Sequence, residues 1–144
     1  MNIEFDLKTT RLEFRGLGNG LIVNPRPDET GMSYQPASVP TSRVIDNQYG
    51  GADSDSPWFV FFHENCAWPS YWIVRAESWE SAYEEFLDEQ PEADPSDLAD
   101  AGWDPETSDD LPDGFSWDSS GRIVYSECIM GHEIELISAT RIAP

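Results

Sequence analysis

The chain has 144 residues and a formal net charge of −20, with 28 acidic residues against 8 basic ones. That length suits a single domain over residues 1–144, large enough to bury a core without a disulfide or metal. A protein this acidic repels nucleic-acid phosphates and anionic membranes, which excludes direct DNA or RNA binding and favours a basic partner. The sequence has no run of 18 apolar residues, which excludes a membrane-spanning helix.

The N-terminal sequence and the cysteines both favour the cytoplasm. MNIEFDLKTT carries acids where a signal peptide has a basic start and an apolar centre. Cys66 and Cys128 are therefore expected to be free thiols in a reducing compartment.

The negative charge is concentrated in one part of the chain. Residues 76–121, called the acidic segment below, hold sixteen acids and no base, whereas residues 1–75 hold nine acids and six bases. Adaptation to high salt would spread acids over the whole surface, and the single lysine of the chain agrees with that alternative. Concentration in one segment instead favours a surface that meets a positively charged partner.

The apolar patterns predict an α+β fold, with an antiparallel sheet and two helices, one amphipathic and one short, in an acidic insertion. IEFDL alternates like a half-buried strand, and RLEFRGLGNGLIVN predicts a hairpin that turns at Asn19-Gly20. Residues 24–56 are rich in proline, glycine and small polar residues, which predicts a long irregular loop. PWFVFFH predicts a central strand buried on both faces, and YWIVRA predicts a second strand.

The period changes to that of a helix at the start of the acidic segment. Ser78 is the expected N-cap, and five apolar residues with helical spacing form the expected buried face: Trp79, Ala82, Tyr83, Phe86 and Leu87. A second helix is expected to begin after Asp94, with Pro95 at its first position, and to stop at Gly102. Residues 103–114 are expected to form a loop.

Two further patterns complete the chain. FSWD and RIVYSE, joined by the turn SSG, predict a hairpin. HEIELISATRIA predicts a final strand with Ile134 and Leu136 inward and Glu133 and Glu135 outward.

The acids of the two helices are the candidate partner-binding residues. Carboxylates three or four residues apart on a helix lie about 5–6 Å from each other, which approximates the spacing of phosphates along a DNA strand. The simpler interpretation is a solvated helix face, although such faces usually mix both signs of charge. The residues assigned to the surface are Glu77, Glu80, Glu84, Glu85, Asp88, Glu89, Glu92, Asp94, Asp97 and Asp100.

Both cysteines and both histidines of the chain occur in two close pairs. His63 with Cys66, and Cys128 with His132, could together close a tetrahedral zinc site. The ligand order is not that of a zinc finger, and buried thiols with polar histidines at strand ends are the simpler interpretation. We therefore predict no metal and no other cofactor. Since the chain has no P-loop and no local nucleophile signature, an enzyme is the least favoured class.

The stretch YWIVRAESWESAYEEFLDE, residues 71–89, resembles a strand-then-helix element of the form IVxAxSxExAxxxF in small uncharacterised proteins of phages and plasmids. In bulk character the chain is similar to phage and plasmid anti-restriction and anti-CRISPR proteins. The resemblance implies a non-enzymatic, cytoplasmic inhibitor whose acidic surface mimics phosphates and occupies the basic groove of a host defence complex. Exposed aromatic residues near the acids, Trp103 or Trp117, would add apolar contacts. The alternatives are an acidic structural or adaptor module without mimicry and a small zinc-stabilised domain.

Overall fold

The computed structural model describes residues 8–16, 20–26, 37–46, 56–64, 71–127 and 129–142. Within these ranges the chain forms nine strands and two α-helices. The strands are β1 (Thr10–Arg15), β2 (Leu21–Val23), β3 (Ala37–Val39), β4 (Val44–Asp46), β5 (Trp58–His63), β6 (Trp72–Arg75), β7 (Phe115–Trp117), β8 (Ile123–Tyr125) and β9 (Ile129–Arg141). The helices are α1 (Trp79–Asp88) and α2 (Pro95–Asp100).

Seven strands form one mixed sheet in the order β3-β2-β1-β9-β5-β6-β4. The expected α+β class is confirmed, but the expectation of a purely antiparallel sheet is wrong, because β2 pairs with β3 and β4 pairs with β6 in parallel. Apolar alternation shows which face of a strand is buried and carries no information about the direction of its neighbour. Long connections, such as residues 24–36 between β2 and β3, permit a parallel return.

The sheet curves until it is nearly a barrel. The strands β3 and β4 stand at opposite ends of the strand order, yet only residues 40–43 join them in the chain. Three of these residues, Thr41–Arg43, form a 3-10 turn, which shortens the span further. Because so few residues can bridge only a short distance, the two edges of the sheet must approach each other.

The concave face of the curved sheet encloses the main core. All seven strands contribute side chains to it, and Phe14 meets Trp58 edge to face with ring centroids 5.1 Å apart. Ile134 lies inward and Leu136 packs against the same cluster, while Glu133 and Glu135 are exposed, which confirms the prediction for the last strand. The buried members are Leu12, Phe14, Leu21, Val23, Val39, Val44, Trp58, Val60, Ile73 and Ile134.

A buried ion pair links the edge strand β4 to β6. Arg75 lies directly opposite Asp46 in the parallel ladder, and its side chain is only 2% exposed. Its Nε donates to Asp46 Oδ1 at 2.7 Å, and its guanidinium lies over the Trp58 ring at 4.9 Å from the centroid. The carboxylate and the ring together compensate a charge that would otherwise be costly to bury.

The convex face of β5 and β6 carries α1. Ser78 caps the helix by accepting a hydrogen bond from the Ser81 amide at 3.1 Å, as the sequence predicts. Ala82, Phe86 and Leu87 are buried in a second core cluster against the sheet. A Cβ at Gly131 of β9 would lie 2.5 Å from the Phe61 ring, so only glycine lets this ring lie flat on the strand.

Two residues of the expected helix face are less buried than predicted. Trp79 is 42% exposed and stacks on Tyr83, which is itself half-buried, with centroids 5.1 Å apart. Trp79 is the first residue of α1, and its ring lies 5.9 Å from the Phe61 ring of β5, so it packs on the sheet with only one side.

The loops and the remaining strands agree in part with the sequence predictions. The β1–β2 and β7–β8 pairs are antiparallel, as expected of the two hairpins, and residues 103–114 contain only turns and irregular chain. The prediction of one irregular loop over residues 24–56 is wrong, because β3, β4 and the 3-10 turn lie within it. The predicted IEFDL strand and Asn19 lie outside the described residues.

Candidate functional site

The outward side of α1 carries the first group of predicted acids. Glu77 precedes the helix and is exposed, and Glu80 and Glu84 project from successive turns into solvent. A separation of four residues places the last two about 6 Å apart along the axis. No basic residue compensates them within the acidic segment, so this strip of surface is strongly negative.

Two acids of α1 are partly withdrawn from solvent. Glu85 is half-buried, and this burial raises its pKa, with further increases from the neighbouring charges of Asp88, Glu84 and Glu89. Asp88 accepts hydrogen bonds from the amide and hydroxyl of Ser119 at 2.9 and 2.6 Å. Asp88 is assigned by the sequence to the partner-binding surface, but it is half-buried and its carboxylate holds the turn of the β7–β8 hairpin.

The acids between the helices remain at the surface. Glu89 is exposed and forms the C-cap of α1, and Glu92 is exposed and forms an isolated antiparallel bridge with Val124 of β8. The next amide, that of Ala93, donates to the Ile123 carbonyl at 2.8 Å. The backbone of the link between the helices is thus bonded to β8 of the small hairpin at Glu92 and Ala93.

The acids of α2 combine exposure with structural roles. Asp94 caps the helix by accepting from the Ser96 amide at 2.9 Å and from its hydroxyl, and these two bonds lower the pKa of Asp94. Asp97 accepts from the Tyr125 hydroxyl, a bond that raises the pKa of the tyrosine. Asp100 at the end of the helix is exposed. Eight of the ten predicted acids are exposed, and Glu85 and Asp88 are not fully so.

Arg122 is the first basic residue after the acidic segment, and its side chain is hydrogen-bonded within the fold. Arg122 Nε donates to Asp118 at 2.8 Å, and its Nη2 donates to the carbonyls of Asp88 and Gln90, both at 3.1 Å. Burial raises the pKa of Asp118, but hydrogen bonds from Ser120 and Arg122 outweigh that effect and lower it to about 2. The guanidinium therefore stabilises the end of α1 and does not offset the charge of the exposed acids.

A pocket of about 390 Å³ lies between α2 and the β7–β8 hairpin. Both tryptophans named from the sequence line it: Trp103 is half-buried, and Trp117 is 54% exposed. The sequence indicates the two aromatic residues but not their convergence, which depends on the contact of α2 with the hairpin.

The two histidines of the candidate zinc site lie on opposite faces of the sheet. His132 is opposite Val60, whose side chain faces the concave core, whereas His63 follows the alternation of Phe59 and Phe61 on the convex face. His63 Nδ1 lies 3.1 Å from the Glu127 carbonyl. A single ion cannot reach both rings across the sheet, so His63 and His132 cannot ligate the same zinc ion.

Cys66 and Cys128 lie outside the described residues, and no group of three or more potential metal-ligating residues occurs in the part of the chain that the structure describes. In that same part, no helix has the length and apolar character needed to cross a membrane.

Comparison of the chain with protein-family models, with curated proteins and with solved structures finds no match.

Proposed function

We propose that this protein is a non-enzymatic inhibitor that occupies the basic nucleic-acid groove of a host defence complex, of the CRISPR or restriction type. Residues 76–121 act as an insertion in a single domain and present their carboxylates in place of phosphates. The protein acts in the cytoplasm of the host cell, where such complexes operate. The resemblance to small acidic phage and plasmid proteins supports this choice of partner.

One observation carries the proposal: the segment is folded, and eight of its ten predicted binding acids are nevertheless exposed. An acidic stretch kept only for solubility does not need an ordered scaffold. Here the scaffold is specific, since Tyr125 holds α2 and Arg122 holds the end of α1. Fixed charges cost less entropy to dock than mobile ones, and a complementary potential accelerates association.

The local geometry explains how the scaffold tolerates its own charge. Glu80 and Glu84 lie on the side of α1 away from the buried Ala82, Phe86 and Leu87, where water and salt reduce the repulsion of their charges. Asp94 caps α2, and Asp88 accepts a hydrogen bond from Ser119 of the hairpin. Within the described residues Glu77, Glu80 and Glu84 are exposed and accept no such bond, which leaves them available to a basic surface.

The proposal is tested by inhibition of purified CRISPR effectors and restriction enzymes in a DNA-cleavage assay. Wild-type protein is expected to inhibit at least one of these complexes. The triple variant Glu80→Lys/Glu84→Lys/Glu89→Lys is expected to weaken that inhibition by about ten-fold or more, because it reverses charge at the proposed contact.

The matched control reverses three exposed acids of β5–β6 and β9, as Glu64→Lys/Glu133→Lys/Glu135→Lys. It makes the same change in net charge and is expected to inhibit almost like the wild type. Equal losses in the two variants would assign the effect to bulk charge. No loss in either would favour an acidic adaptor, and failure to inhibit any complex would refute the proposal.

A further inference from the structure

The pocket between α2 and the β7–β8 hairpin has walls that are mainly apolar. Pro95 and Leu98 of α2 line one side, Trp117 and Ile123 of the hairpin line the other, and Trp103 completes the set. Its volume of about 390 Å³ lies at the small end of the range for ligand pockets, about 300–1,000 Å³. A space of that size accepts one or two large side chains more readily than a folded surface.

Hydrogen bonds join the elements that form the pocket. The Tyr125 hydroxyl accepts from the Asp94 amide at 3.0 Å and donates to Asp97, which fixes the start of α2 against β8. The Ala93 amide also donates to the Ile123 carbonyl at 2.8 Å, and the Trp103 amide donates to the Leu98 carbonyl at 3.0 Å. Walls fixed in this way lose little conformational entropy when a ligand enters.

Tryptophan at the mouth of the pocket is unusual for a solvated surface. Trp117 is the most exposed large apolar residue in the described part of the chain, at 54%. Large aromatic side chains beside a preformed cavity are the commonest energetic centres of protein interfaces. The exposed indole therefore marks a surface that gains stability when a partner covers it.

The charge around the pocket selects the partner. Glu92 lines the wall, and the exposed Asp97 and Asp100 lie on α2 outside the lining. Arg122 is the one cation of the lining, and its Nε and Nη2 are already bonded to Asp118 and to the carbonyls at the end of α1. The mouth therefore favours an apolar side chain that is flanked by positive charge.

We propose that this pocket receives one large apolar side chain of a basic peptide segment on the protein partner. The inference rests on the proposed function for the identity of that partner, and it adds an anchor that the nucleic acid itself does not possess. The acids of the segment steer the basic surface, while the apolar anchor lengthens the lifetime of the complex.

Two synthetic peptides test the anchor directly. The first is Ac-Gly-Arg-Arg-Gly-Phe-Gly-Arg-Arg-Gly-NH2, and the second has alanine in place of phenylalanine. Isothermal titration calorimetry is expected to show the alanine peptide binding wild-type protein at least about ten-fold more weakly, as for loss of an interface anchor. Equal affinities of the two peptides would overturn the proposal.

The protein side of the test uses two exposed tryptophans. Trp117→Ala removes the exposed indole that lines the pocket and does not change the charge. Trp79→Ala removes a comparably exposed indole on α1. The Trp117 variant is expected to bind both peptides equally, whereas the Trp79 variant keeps the preference for phenylalanine. Equal behaviour of the two variants would contradict the assignment. Circular dichroism and the NMR signal of the Trp103 indole show whether each variant remains folded.

A third peptide, with glycine in place of all four arginines, tests the choice of occupant. Its binding to the wild-type protein is expected to fall steeply. Undiminished binding would identify a neutral apolar ligand instead and overturn the basic-peptide proposal.

The pocket proposal and the proposed function can fail independently. If Trp117→Ala inhibits nuclease cleavage like the wild type while reversal of Glu80, Glu84 and Glu89 abolishes inhibition, the function stands and the anchor falls. If the peptides discriminate but no nuclease is inhibited, the anchor stands alone.

Discussion

Replacement of Phe86 by alanine removes the side chain that holds α1 against the sheet. Phe86 is 0% exposed and stacks on Phe61, with centroids 5.1 Å apart and an interplanar angle of 16°. It also meets the Trp72 ring at 6.3 Å, in a T-shaped arrangement. Truncation of a fully buried phenylalanine costs about 3–5 kcal/mol, and rigid aromatic neighbours on two sides leave little room for collapse. We expect about 4 kcal/mol, a large part of the stability of an ordinary domain.

The loss is measured by urea denaturation, followed by tryptophan fluorescence and by circular dichroism. Coincident transitions from the two probes justify a two-state free energy. An unchanged slope of that free energy with urea assigns the loss to the native contacts. Thermal melting of the same variant gives an independent value.

Trp79→Ala is the matched control. It removes a larger aromatic ring from the same helix, but this ring is 42% exposed, so we expect a cost of about 1 kcal/mol. A loss below about 1 kcal/mol for Phe86→Ala, or equal losses for both variants, would show that α1 does not dock on the sheet in this orientation. The acids of α1 would then not be held in the orientation that the proposed function requires.

Three other perturbations test the fold around the site. Asp46→Ala should cost about 3–5 kcal/mol in urea denaturation, because it deprives the buried Arg75 guanidinium of its carboxylate. Gly131→Ala should lower stability by about 1–3 kcal/mol, since its Cβ would lie 2.5 Å from the Phe61 ring. Asp118 should titrate near a pKa of about 2, against 3.8 in the unfolded chain. Its contribution to stability should be complete above pH 3.8 and lost as the pH falls toward 2. NMR titration and urea midpoints of Asp118→Asn check this, and a midpoint difference that does not change with pH would contradict it.

The strongly periodic parts of the fold could be predicted from the sequence. The helical spacing of Ala82, Phe86 and Leu87, with a serine cap before it, defines α1 through interactions only a few residues apart. The run WFVFFH is apolar on both faces because β5 lies between the concave core and α1. In each case the local pattern and the tertiary environment favour the same structure.

The features that were missed depend on contacts that are distant in the chain. The three-residue strands β3 and β4 are too short to show a period, and pairing with β2 and β6 stabilises them. Asp88 looks like any other acid on the helix surface, and only the fold brings Ser119 to it from 31 residues away. The opposite orientations of His63 and His132 follow from the β5–β9 register, which the spacing within each pair does not encode.

The candidate site shows the same division. The acidic residues and the helix periodicity of the sequence together indicate the exposed carboxylates Glu80 and Glu84, because the period places them opposite the apolar face. The pocket could not be predicted, because it forms only where α2 packs against the hairpin. The Tyr125 hydroxyl bonds α2 to the hairpin, and no residue near Tyr125 in the sequence indicates these bonds.

We propose that the acidic segment and a nucleic acid compete for one basic groove of the partner. The most direct measurement is the fluorescence anisotropy of labelled guide RNA or target DNA on the inhibited complex, titrated at rising concentrations of this protein. We expect the apparent Kd of the nucleic acid to rise in proportion to the protein concentration without a ceiling, and this effect to weaken steeply with salt. A plateau in the apparent Kd, with protein and nucleic acid bound to the complex together, would contradict it.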